Sequence, residues 1–147
     1  MTKVPVLALD GPGGSGKGTV AGRIALIRDW RILDSGALYR ALGFSAQKLG
    51  VLPDDFAGIQ RVLAETDFDF VIEKTGEVGI FVDGEDVTVA LRSSHAGLVA
   101  SRYASQESVR ECLITRQRFE RQPPGLVADG RDMGTVVFPD ATLKVFL

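Results

Sequence analysis

The chain has 147 residues, enough for one domain with a real core, and its 45% hydrophobic and 24% charged content is that of a folded chain rather than a disordered one. A formal net charge of −2 argues against a broad basic face for nucleic acid or anionic membrane, so any phosphate must be recognised by local groups. The single cysteine, Cys112, excludes an internal disulfide and suits a reducing, cytoplasmic setting; no apolar stretch approaches the ~20 residues of a membrane span, and Val4 to Leu9 is too short for a signal-peptide core.

Val4 to Leu9 is an apolar run that reads as a buried parallel strand. It leads into Asp10-Gly11-Pro12-Gly13-Gly14-Ser15-Gly16-Lys17-Gly18-Thr19. Gly11 to Lys17 fits G-x-x-x-x-G-K, a phosphate-binding loop whose glycines let successive amides curl around an anion. The helix start behind it adds donors and a positive dipole end, and Lys17 supplies a point charge for the outer phosphates. Gly11, Gly13 and Gly16 also fit the dinucleotide pattern G-x-G-x-x-G, with Asp34 near the expected ribose-binding acid. Lys17 favours the triphosphate reading, because a dinucleotide loop has no need of a lysine there. One departure stands out. Gly18 occupies the position where the general pattern puts a magnesium-holding Ser or Thr, and Thr19 follows it.

Val20, Ala21, Ile24 and Ile27 predict a helix over 17–28 with that apolar stripe against the sheet. Trp30 to Leu33 predicts a second strand. The next helix carries Leu38, Leu42 and Leu49 and stops at Gly50. Another starts at Pro53-Asp54-Asp55 and buries Phe56, Ile59, Val62 and Leu63. From Asp67 the pattern alternates. Phe68, Phe70 and Ile72, then Val78, Ile80 and Val82, then Asp86-Val87-Thr88, with turns at Thr75-Gly76 and Asp83-Gly84, predict a small antiparallel insertion. Ser93 or Ser94 caps one helix and Ser105 a second, with Glu107 in its first turn. Val109, Cys112, Leu113 and Phe119 give the second an apolar face. Arg110, Arg116, Arg118 and Arg121 give it a solvated basic one. Cys112 reads as a packed hydrophobe and His95 as a surface residue; the chain has no zinc-ligand cluster. Pro123-Pro124-Gly125 ends the helix. Leu126 to Asp129 and Thr142 to Leu147 are strands, and the second is expected to be buried. A buried strand at the last residue reads as a truncated piece of a larger protein.

Three places carry chemistry. Asp129, at the end of an apolar strand downstream of a glycine loop, is the expected magnesium carboxylate, directly or through water. Gly130-Arg131-Asp132-Met133-Gly134-Thr135 reads either as a solvated loop or as an Arg for a substrate phosphate and an Asp for a base amine. Asp34-Ser35-Gly36-Ala37-Leu38-Tyr39-Arg40 offers amides, the Ser35 hydroxyl and the planar Arg40 fork to a second anion.

Gly-Pro-Gly-Gly-Ser-Gly-Lys-Gly-Thr, Leu-Asp-Ser-Gly-Ala-Leu-Tyr-Arg and Ala-Asp-Gly-Arg-Asp-Met-Gly-Thr-Val-Val-Phe-Pro-Asp-Ala, in this order and spacing, resemble the bacterial cytidylate kinases. The resemblance spans essentially the whole chain and extends to Gly84-Glu85-Asp86-Val87 and Ala90-Leu91-Arg92. It implies an α/β phosphate-loop kinase fold: a central parallel sheet flanked by helices, with an antiparallel nucleoside-monophosphate-binding insertion at about 67–92. It implies transfer of the ATP γ-phosphoryl to CMP or dCMP with Mg²⁺, in a cytoplasmic monomer. Gly11, Pro12, Gly13, Gly14, Ser15, Gly16, Lys17, Gly18 and Thr19 would bind ATP phosphates. Ser35, Arg40 and Arg131 would hold the CMP phosphate; Ser101, Arg110 and Asp132 would read cytosine. Lys17, Arg40 and Arg131 would carry catalysis. The resemblance further implies an arginine-rich lid, a ribose-contacting Asp and a last strand beyond Leu147, so poor binding and slow turnover are expected of these residues alone. The alternatives are a related kinase for AMP or another small molecule, and a nucleotide-binding piece without turnover.

Overall fold

Four short segments build the first sheet, and three of them end in Asp or Gly. The structure is a computed structural model and describes residues 3–147. β1 (Val6–Asp10), β2 (Arg31–Asp34), β6 (Leu126–Gly130) and β7 (Leu143–Phe146) pair in the order β2-β6-β1-β7. Every ladder is parallel, with Leu9 opposite Asp129, Asp10 opposite Gly130, and Asp34 opposite Asp129. Val6, Ala8, Leu33, Leu126, Val127 and Ala128 are buried, as a sheet covered on both faces requires. β7 differs from expectation: it lies at the sheet edge, and Leu143 and Phe146 are exposed rather than buried.

These strands belong to a compact unit formed by residues up to Ser35, Ile72–Val78 and Gln117–Leu147. Helix α1 (Lys17–Arg28) has the predicted bounds but not the predicted stripe. Val20 is exposed and Ile27 is 82% exposed, whereas Ala21, Gly22 and Ala25 are buried. Small residues line the inner face because backbone passes close to it. A Cβ on Gly22 would stand 1.8 Å from the Gly76 carbonyl oxygen, and one on Gly76 would stand 2.7 Å from Arg23 Cγ. Arg23 Nε donates to the Thr75 carbonyl at 3.3 Å, so the Glu73–Glu77 turn rests directly on α1.

The arginines after residue 116 also depart from the solvated face expected of them. Arg118 donates through Nε to the Val137 carbonyl at 2.9 Å and through Nη2 to that of Val136 at 3.1 Å. Arg121 donates to the Val4 carbonyl at 2.7 Å and pairs with Asp140. Together with Lys3 it holds the Asp140 carboxyl down to about 2. Phe119, expected inside, is 70% exposed.

The second unit comprises Gly36–Val71 and Gly79–Arg116. Helices α2 (Ser35–Lys48), α3 (Phe56–Glu65), α5 (Ser94–Ala104) and α6 (Glu107–Arg118) contribute most of it. Leu38 and Leu42 are buried; Leu49, one residue past the end of α2, is exposed, and so is Phe56, the first residue of α3, against the apolar face expected of it. Asp55 caps α3 by accepting from the Gly58 amide, and Ser93 caps α5 by accepting from that of Ala96. Ser105 does not point forward to α6; its hydroxyl donates back to the Arg102 carbonyl at 2.6 Å.

The alternating segment is a separate sheet in the order β3-β4-β5: Phe68–Ile72, Val78–Val82 and Glu85–Asp86. Asp83 and Gly84 both take positive φ, the turn expected at that Asp-Gly pair. Thr88, expected in the third strand, instead opens the short helix α4 (Thr88–Leu91). Its hydroxyl and the Ile80 amide are within 2.8 Å, so the side chain substitutes for the next rung.

The Gly22 contact sets the first prediction. Gly22→Ala lowers stability by about 1–3 kcal/mol, as overpacking against backbone does, read from the urea midpoint; an unchanged midpoint would show that the 73–77 turn does not rest on α1.

Candidate active site

The loop between β1 and α1 has the backbone its composition demands. Gly14 and Gly16 sit at φ 78° and 83°, a region that costs nothing only to glycine. A Cβ on Gly13, Gly14 or Gly16 would meet no atom within 4 Å, so these positions face open space. Lys17 opens α1 and crosses to β6, where Nζ donates to Asp129 Oδ1 at 2.5 Å. Asp129 is 4% exposed. Burial pushes its carboxyl up, the Lys17 hydrogen bond opposes this, and the neighbouring Asp34 charge adds to the rise. A Cβ at Gly18 would lie 3.3 Å from Asp129 Oδ2, so position 18 is in close contact with this carboxylate.

Asp10 and Asp34 end β1 and β2, and Asp129 is the next-to-last residue of β6, which lies between them. Their donors are hard carboxylate oxygens, the kind Mg²⁺ takes. Among the described residues no three acidic, His or Cys side chains converge as a cage. That donor set fits an ion that keeps several waters and is bound by one or two carboxylates plus phosphate oxygens.

Asp10 is the residue the sequence reading missed. It is 3% exposed, and its two oxygens accept from the Met133 and Gly134 amides, each at 2.8 Å. The available signal was a carboxylate closing a buried apolar strand. Those amides open a π-helical turn, Met133–Val137, in which the Phe138 amide donates to the Met133 carbonyl at 2.7 Å. Arg131 and Asp132 lie between the end of β6 and this turn. Burial, then the Asp10 charge, push the Asp132 carboxyl up. Ser35 is buried beside the same strand end, its Cβ 3.1 Å from where a Cβ on Gly130 would stand. The first unit thus holds Gly11 to Thr19, Ser35, Asp129, Arg131 and Asp132.

The other three candidates belong to the second unit, around α5. Arg40 Nη1 donates to the carbonyls of Leu91 at 2.7 Å and Ser93 at 3.0 Å, and its Nη2 leaves only 3.0 Å for a Cβ at Gly97. Ser101 is one helical turn beyond Gly97, on the same side of α5, and is exposed. Arg110 reaches back from α6 to donate to the Ala104 carbonyl at 2.7 Å. Cys112 is a free thiol that burial pushes up, which suits packing rather than nucleophilic work.

A family model described as cytidylate kinase matches residues 7–147. The chain belongs to the cytidylate kinase family. It is 51% identical over 147 residues to a cytidylate kinase of Pseudomonas putida (strain W619), covering 99% of this chain and 64% of that protein. A cytidylate kinase of Pseudomonas syringae pv. tomato (strain ATCC BAA-871 / DC3000) is 52% identical over 146 residues, with the same two shares. One of Pseudomonas fluorescens (strain SBW25) is 50% identical over 146 residues. The chain therefore spans 64% of the length of the first two relatives. Family and structure agree on the fold: a parallel sheet flanked by helices, a glycine phosphate loop, and a separate small antiparallel sheet.

The Lys17–Asp129 pair sets the second prediction. Lys17→Met removes the hydrogen bond that opposes burial, so the Asp129 carboxyl titrates higher still. A carboxyl raised on folding contributes stability below its ordinary value of 3.8 that is lost as pH rises through the folded value. The stability gap between variant and wild type therefore opens as pH rises from acid to neutral. Carboxyl NMR titration and urea midpoints at both ends of the range check this; a gap that closes with rising pH contradicts it.

Proposed function

We propose that this chain carries the nucleotide-binding core of an enzyme that transfers the γ-phosphoryl group of ATP to CMP or dCMP. The observation that carries the reading is the Lys17–Asp129 pair beside the open glycine loop, with the Arg131–Asp132 segment leaving the same strand. Family membership supports the choice of acceptor.

In this reading the amides of Gly11 to Thr19 and the Lys17 ammonium hold the triphosphate, and Lys17 exchanges Asp129 for phosphate oxygens. Asp129 holds Mg²⁺ directly or through water, with Asp34 beside it; the ion supplies charge neutralisation on the transferred phosphoryl group. Ser35, Arg40 and Arg131 grip the acceptor phosphate, and Arg suits this because its planar fork binds two oxygens at once. Arg40 already spends one terminal nitrogen on the Leu91 and Ser93 carbonyls, which fixes the guanidinium in place with its other nitrogens available. Ser101, Arg110 and Asp132 read cytosine, Asp132 accepting from its exocyclic amine. The acceptor phosphate is ionised at neutral pH, so positioning and charge neutralisation carry the reaction without a general base. Residues 67–92 are the monophosphate-binding insertion. Their separate sheet supports this assignment. We assign a monomer acting in the cytoplasm; no described helix is long and apolar enough to cross a membrane.

The test is ADP release from ATP with CMP, dCMP, UMP and AMP in turn, alongside calorimetric binding of each. Binding and turnover confined to the cytosine nucleotides support the reading. Activity with AMP and none with CMP overturns it in favour of a related kinase. Within it, Asp132→Ala weakens CMP by roughly 10- to 100-fold, the effect of one good base contact, and leaves ATP affinity unchanged; equal losses for both nucleotides would remove Asp132 from base reading.

A further inference from the structure

We infer that Asp10 and Arg118 are positioning residues that fix the backbone of Arg131 and Asp132 for the acceptor nucleotide, by clamping the turn that follows them at both ends. The inference rests on the CMP reading above. The Asp10 carboxylate accepts from Met133 and Gly134 N–H, both at 2.8 Å, at the start of the turn. Arg118 donates to the carbonyls of Val136 and Val137, at 3.1 and 2.9 Å, at its end. An anion thus meets amides at the start of the turn and a cation meets carbonyls at its end, each complementing the local dipole.

The turn needs such support. Its ladder is the wide one, with the Val137 amide donating to Asp132 and that of Phe138 to Met133. Helical turns of this kind are intrinsically rare and tend to occur at functional sites. Gly130 ends β6 and Met133 opens the turn, so Arg131 and Asp132 are held between two fixed points. A buried carboxylate is costly unless its bonds are strong ones, and charge-assisted bonds to two successive amides are. Asp10 also lies directly before the phosphate loop, so one residue ends the strand leading to the donor loop and anchors the acceptor-reading segment.

The experiment compares wild type with Asp10→Asn and Arg118→Met. Asn keeps the size but can accept only one of the two amides with its single carbonyl. Asp10→Asn is expected to weaken CMP binding about tenfold or more, the scale of a lost bond to a charged group, with ATP affinity within about threefold and faster hydrogen exchange at Met133 and Gly134. Arg118→Met is expected to shift CMP in the same direction by a smaller factor. A fall in the unfolding midpoint with unchanged CMP affinity well below that midpoint, or equal losses of CMP and ATP, overturns the inference. Binding of another nucleoside monophosphate by the wild type, with none of CMP, removes the substrate reading instead. In that case the backbone order of Arg131 and Asp132 decides: loss of order in Asp10→Asn supports the clamp, and unchanged order overturns it.

Discussion

Parallel pairing of β1 with β6 sets Leu9 opposite Asp129 and Asp10 opposite Gly130, across nearly the whole length of the chain. This register places the glycine loop and the Gly130–Val137 segment at the same end of the two inner strands. It also puts the Asp129 carboxylate within reach of Lys17 and the Asp10 carboxylate within reach of two amides. In a strand, a slip of one residue would turn each of these side chains to the opposite face. The apolar residues before them, Val6, Ala8, Val127 and Ala128, make such a slip costly because they are buried.

Two buried carboxylates at adjacent strand ends are compensated differently, and the difference suits different tasks. Asp129 is held by one flexible ammonium, which an incoming anion can compete for. Asp10 is held by two backbone amides, which no ligand of ordinary chemistry displaces. The first arrangement is adjustable and the second is fixed. A similar economy explains the glycines. Gly14 and Gly16 supply backbone angles, Gly18 lies against the Asp129 carboxylate, and Gly22 leaves room for the carbonyl of Gly76. Four neighbouring glycines thus answer two separate requirements, of which only the first is visible in a loop motif.

Element types were largely legible in the sequence, because turn residues and hydrophobic period report on local backbone. The bounds of α1, the caps at Asp55 and Ser93, and the Asp83-Gly84 turn follow from local rules. Facing was less legible. In α1 the large residues Val20 and Ile27 suggested the inner stripe, yet Ala21, Gly22 and Ala25 are the buried ones, and at Gly22 the backbone of a distant turn comes too close for any side chain. Arg118 and Arg121 looked like solvated charges because the carbonyls they serve are supplied by other parts of the chain.

The sequence by itself determined the family, the glycine-rich loop and most of the order of strands and helices, and it offered candidate site residues other than Asp10. Each of these depends on residue types at short spacing, where sterics and hydrogen-bonding capacity act within a few bonds. Only the tertiary structure decided which amides Asp10 accepts from, that position 18 lies against the Asp129 carboxylate, and which partner Asp129 takes. Those outcomes depend on contacts between residues more than a hundred positions apart. The physical reason is that a buried charge is defined by whatever surrounds it, and its surroundings come from the sheet register rather than from its neighbours in the chain.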